Sequence, residues 1–113
     1  MITLLTPGKR TTLMISDPWD FVTKCGAGPF WGQSQDVDGN KVLIHLVESV
    51  TYANLTYQSA ICSLRHKESL LKNGETIAMN MVLLPCRPTK LHDVSNNEFR
   101  KGLAVIGSLK VNN

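Results

Sequence analysis

Three stretches of this 113-residue chain alternate strictly between two sets of side chains, and in each stretch one set is wholly apolar. Val42, Ile44 and Leu46 form such a set within "KVLIHLVE". Ala60, Cys62 and Leu64 form one within "TYQSAICSLR", and Ile77, Met79, Met81 and Leu83 form one within "ETIAMNMVLLP". Successive side chains of a strand point to opposite faces of a sheet, so a period of two marks a half-buried strand. Burying one Leu, Ile or Met stabilises a fold by about 1.5–3 kcal/mol, so the three apolar faces are expected to stack around one core. The opposite faces are mixed. They carry Leu43, His45 and Val47 on the first stretch, Tyr57, Ser59, Ile61, Ser63 and Arg65 on the second, and Thr76, Ala78, Asn80 and Val82 on the third. The second face is either a semi-polar binding surface or a wall covered by helices or water; antiparallel sheets commonly have one solvated face.

Turn chemistry sets the connections. "PFWGQSQDV" and "KVLIHLVE" flank Asp38-Gly39-Asn40, and Asp-Gly accepts the positive φ of a tight hairpin. The alternating polar residues of this stretch also imitate a calcium loop, but counting from Asp36 the sixth position is Lys41 and the twelfth is Val47. The Gly and the bidentate Glu that such a loop needs are both missing, so a hairpin is expected. "ITLLT" and "TTLMI" around "PGKR" predict another hairpin. "SDPWDFVTKCG" predicts a two-turn helix with Ser16 as its cap, Gly26 at its end, and Trp19, Val22 and Phe21 facing inward. "KESLLKNG" reads as a short helix ending at Gly74. "SNNEFRKGLAVIG" carries the capping box Ser95–Glu98, with Phe99, Leu103 and Ile106 at helical spacing, and "SLKV" adds a last strand. The expected fold is mainly β (α+β): a small antiparallel barrel or sandwich of six to seven strands with two or three short helices, in a single domain spanning residues 1–113.

With 42% hydrophobic and 19% charged residues, the composition is globular and not disordered. No apolar run is long enough for a membrane helix, and "MITLLTPGKRTT" has its basic pair after a short apolar run, unlike a secretory leader. A soluble protein of the cytoplasm, with no membrane association, is expected. Cys25, Cys62 and Cys86 are odd in number, far apart and never C-x-x-C, which argues against a disulfide framework and a zinc knuckle. The Cys62–His66 spacing straddles a strand end and makes a poor ligand pair. No metal and no cofactor are expected. Net charge is +3, divided unevenly: residues 1–60 hold four basic and five acidic side chains, residues 61–113 eight and four.

No catalytic motif stands out. "CGAG" lacks the preceding strand and following long helix of a phosphate loop. "GPFWGQ" is the more informative segment, because adjacent Phe30 and Trp31 on a strand point to opposite faces, one into the core and one onto the surface. The favoured reading is a small non-catalytic binding module of inhibitor, adaptor or immunity type, as in bacterial accessory proteins, that recognises a protein partner. Its candidate binding residues are Trp31, His45, Tyr57, Arg65 and Asn80. The alternative is a single-stranded nucleic-acid-binding barrel, stacking bases on Trp31, Tyr52 or Tyr57 and holding phosphates with Arg65, Lys67, Arg87 or Lys90. Third comes a small hydrolase or nuclease using His45, His66 or His92 with Glu48 and Arg65. A Cys25–His92–Asp93 triad is a further arrangement that spacing alone does not require. Pairing of the "TTLMI" or "SLKV" strand edges offers a route to a homodimer.

Overall fold

The structure is a computed structural model that describes residues 2–4, 6–64, 70–72 and 76–112, with side chains at 6–64 and 76–112. Its strands are β1 (Ile2–Leu4), β2 (Arg10–Asp17), β3 (Phe30–Asp38), β4 (Lys41–Tyr52), β5 (Leu55–Ser63), β6 (Leu70–Lys72), β7 (Thr76–Leu84) and β8 (Leu103–Asn112). Six of them close into an antiparallel barrel in the order β2-β3-β4-β5-β7-β8, with β8 returning to β2. β1 and β6 form a separate antiparallel pair. The helical pieces are short: α1 (Trp19–Cys25), a 3-10 turn at Leu91–Asp93 and α2 (Asn96–Arg100). The mainly β antiparallel fold expected from the alternation is present, as a barrel and not a sandwich. Among the described residues no helix is long and apolar enough to cross a membrane.

The three apolar faces all turn into the barrel. Val42, Ile44, Leu46, Ala60, Cys62, Leu64, Met79, Met81 and Leu83 are buried together with Leu13 and Ile15 of β2 and Val105, Leu109 and Val111 of β8. β8 follows the same rule, with Val105, Leu109 and Val111 alternating along one face. Outside the barrel, Leu43, Ile61 and Leu84 form a second, smaller cluster capped by Cys86, Leu91 and Val94. The mixed face of β4 and β5 is therefore covered here by the loop that follows β7. Among the described residues, the one fully buried side-chain nitrogen or oxygen without a hydrogen-bond partner is the hydroxyl of Thr11.

The β3–β4 hairpin turns at Gly39, whose φ of 61° fits the first central position of a two-residue turn between Asp38 and Lys41. Several other expectations are corrected. The "PGKR" segment does not fold β1 back on β2. It wraps Ser34 of β3 instead: Gly8 N–H donates to Ser34 O (2.8 Å), Ser34 N–H to Lys9 O (2.9 Å), and the Ser34 hydroxyl to Thr6 O (2.7 Å). α1 has Pro18, not Ser16, at its cap, without a side-chain bond. Ser16 lies on β2 and donates to Ile106 O at 3.0 Å. Phe21 is fully buried against Phe30 and Tyr52. Trp19, two residues earlier and therefore about 200° around the helix, is 70% exposed, not inward. Residues 70–72 are strand, not part of a helix over 67–74; the rest of that segment, Gly74 included, lies outside the described residues. The Ser95 hydroxyl does accept from Glu98 N–H (3.1 Å), but α2 stops at Arg100, and Leu103 and Ile106 belong to β8. "TTLMI" and "SLKV" are not free edges, since they pair with each other and close the barrel.

Tyr57 is also corrected. It lies in the core at 3% exposure, with Ala60 and Cys62, not on the face opposite them. The β4–β5 register slips between His45↔Ser59 and Val50↔Tyr57, leaving four residues of β4 against one of β5. Such a bulge interrupts the alternation of facing, so Tyr57 points inward while Ser59 points out to donate to Cys86 O at 2.7 Å.

Two outcomes test this packing. A Cβ at Gly107 would overlap the Met14 carbonyl across the β2–β8 seam. Gly107→Ala is expected to cost about 3 kcal/mol, seen as a lower urea midpoint at unchanged m-value. Burial pushes the Cys62 thiol from 9.0 up to about 12. The folded chain then keeps a proton that the unfolded chain has lost, so stability falls as pH rises above about 9, by up to about 1.4 kcal/mol per pH unit. Cys62→Val is expected to flatten that alkaline decline, measured by urea unfolding at a series of pH values.

Candidate functional site

The outer wall of the barrel is built from the side chains that alternate with the core. On β2 these are Arg10, Thr12 and Met14; on β8, Lys110 and Asn112; on β3, Trp31 and Gln33. The register sets them side by side. Thr12 is paired with Trp31 on one flank and Lys110 on the other, and Arg10 with Gln33 and Asn112. Asn112 donates from its side chain to the Thr12 hydroxyl at 2.5 Å, tying this row together. Gly32 pairs with Leu46, which brings Val47 beside Trp31.

Trp31 is 56% exposed and Val47 70% exposed. With Pro29 they form an apolar ridge between two open concavities, of about 570 and 710 Å³. The smaller one runs toward α1 and is lined by Lys24, Phe30, Glu48 and Val50, among others. The larger one runs over β2 and β8 and is lined by Arg10, Thr12, Gln33, Lys110 and Asn112. Phe30, the neighbour of Trp31, packs against the core and meets Phe21 edge-on at a centroid distance of 6.0 Å. Adjacent aromatics on one strand thus divide as the alternation requires. Trp31 is held on a rigid strand and shows its ring to solvent.

The other expected binding residues do not gather around it. His45 is half-buried on β4, and its Nε2–H donates to Pro88 O at 2.6 Å. It fastens the loop after β7. Asp36 of β3 serves the same loop, accepting from Leu91 N–H at 2.8 Å, and Gln58 donates to Pro85 O at 3.2 Å. The acid that resembled a calcium ligand is therefore a loop anchor. Tyr57 is inside the barrel, and burial, followed by the nearby Tyr52, raises its phenol above the ordinary range. Asn80 sits on β7, paired with Ser63 and Ile106, across the barrel from β3. Arg65 and His66 lie outside the described residues. Tyr52 is half-buried, tilted against Phe21 at a centroid distance of 5.3 Å, with Lys24 Nζ 6.0 Å from its ring. His92 is exposed and pairs only with its neighbour Asp93, at 3.3 Å. Cys25 donates to Thr51 O at 3.2 Å. No group of three or more His, Cys, Asp or Glu among the described residues is placed to hold a metal.

Arg10, Gln33, Val47 and Lys110 were not singled out by the sequence. Val47 reaches Trp31 through the β3–β4 hairpin, whereas the approach of Arg10 and Lys110 depends on β2 lying between β3 and β8, a pairing across about a hundred residues that periodicity does not reveal. Comparison with protein-family models, with curated proteins and with solved structures gives no match.

The roles of His45 and Trp31 separate in stability measurements. His45→Ala leaves the Pro88 carbonyl without its donor and is expected to cost about 1–3 kcal/mol, with faster amide exchange in residues 86–94. Trp31→Ala is expected to change stability by no more than about 0.5 kcal/mol.

Proposed function

We propose that this protein is a non-catalytic binding module that recognises a protein partner through the ridge of Pro29, Trp31 and Val47. The observation that carries this reading is a tryptophan kept more than half exposed on a closed barrel whose interior is filled. Burying that ring offers a large apolar gain, and Trp is among the residues most enriched at interface hot spots. The filled interior supports an external site. The ridge also rises between concavities on both sides, so a partner can enclose the indole and exclude water from it.

A second reading keeps the same face but places single-stranded nucleic acid on it, with a base on Trp31 and phosphates at Arg10 and Lys110. Val47 and Pro29 favour the protein, because they give the ridge apolar relief that base stacking does not use.

Affinity capture on the immobilised protein from its native host is the direct test. A stoichiometric protein partner is expected to be retained by the parent and by Trp19→Ala, whose exposed indole lies elsewhere. It is expected to be lost with Trp31→Ala and with Val47→Asp. Retention by both of the latter variants overturns the assignment of this face.

A further inference from the structure

The charges around the ridge are distributed unevenly. The smaller concavity holds one cation and one carboxylate, Lys24 and Glu48. Among the described residues the larger is lined by two cations, Arg10 and Lys110, and by no carboxylate. Among the described residues neither Arg10 nor Lys110 has a carboxylate within salt-bridge distance, and both side chains are exposed. The face thus has an apolar centre, a neutral side and a cationic side, which complements a segment that is apolar at one point and acidic at another.

The sheet geometry sets the spacing. Lys110 is two strands from Trp31, through Thr12, or roughly 10 Å at the ordinary interstrand distance. Arg10 is one strand away and two residues along, a diagonal of roughly 7–8 Å. An extended peptide advances roughly 3.3 Å per residue and turns alternate side chains to the same face, so carboxylates two and four residues from the side chain seated on Trp31 bracket the distances to the two cations, the long Arg and Lys side chains spanning the remainder.

We propose that the larger concavity binds an acidic protein segment in extended form, with an apolar side chain against Trp31 and Val47 and carboxylates two and four residues away, on the same face of the segment, meeting Arg10 and Lys110. This rests on the protein-binding reading above and adds the chemistry of the partner. Exposed charge pairs are individually weak, so the pair of cations sets orientation and selectivity and the ridge supplies most of the affinity.

A displayed library of random short peptides, selected on the immobilised full chain, tests this with a defined probe. The expected outcome is enrichment of sequences with an aromatic or aliphatic residue followed or preceded at two or four positions by Asp or Glu. Binding of the enriched peptides should weaken about tenfold in the Arg10→Ala/Lys110→Ala double variant, which should melt like the parent because both residues are exposed. It should also weaken at raised salt. Enriched peptides that need Trp31 but lack carboxylates, or that bind the double variant as well as the parent, overturn the acidic assignment and leave the binding face standing. No enrichment, or enrichment equally strong on Trp31→Ala, overturns both. An oligothymidylate that binds through Trp31 more tightly than any selected peptide overturns the protein partner in favour of nucleic acid.

Discussion

Closure of the barrel by β2 and β8 is the constraint on which the rest of this structure depends. Seven residue pairs run from Arg10↔Asn112 to Asp17↔Ile106, and they give each barrel strand a neighbour on both sides. Without them β2 and β8 would each present a row of unpaired backbone donors and acceptors to solvent, a template for pairing with another chain. The seam tolerates no side chain at Gly107, where the Met14 carbonyl lies too close. Closing the sheet also decides where function can reside. The interior is filled by Leu, Ile, Val and Met side chains with Phe21, Tyr57, Ala60 and one buried thiol, so a binding site of the kind proposed would lie on the outer wall.

That wall is used in two different ways. On the side of β4, β5 and β7, polar side chains are committed to the chain itself: His45, Ser59 and Gln58 hold the carbonyls of residues 85–88, and Asp36 holds Leu91. The loop they fasten covers Leu43, Ile61 and Leu84. On the side of β2, β3 and β8, Trp31 and Val47 stay open to solvent beside Arg10 and Lys110. The contrast follows from alternation along single strands. Gly32 and Ser34 point inward on β3 while Trp31 and Gln33 point outward.

The core was legible because a period of two in apolar residues matches a half-buried strand and no helix; Val42, Ile44, Cys62, Met81 and their companions all lie where that period places them. The Asp38–Lys41 turn was legible for a similar reason, as local chemistry. What failed was alternation across an interruption and periodicity over short windows. The β4–β5 bulge turns Tyr57 inward, and nothing near Glu48 or Gln58 announces it. Phe99, Leu103 and Ile106 mimic a helix only because a one-turn helix and a strand happen to abut at Gly102. At the candidate face, Trp31 was legible as an aromatic next to another on a strand. Its neighbours Arg10 and Lys110 were not, because their proximity is a property of closure and not of any local pattern.

The seam also constrains the order of events during synthesis. Thr12 and Asn112, joined in the folded state, are separated by almost the whole described chain. A ribosome adding roughly 5–20 residues per second must finish β8 before β2 acquires its second neighbour, and contacts between segments so far apart carry a high loop-closure cost. Until then Leu13 and Ile15 wait on an open curl of sheet with a bare margin. The nascent chain is thus most prone to stray pairing of its open edges in the seconds before β8 emerges.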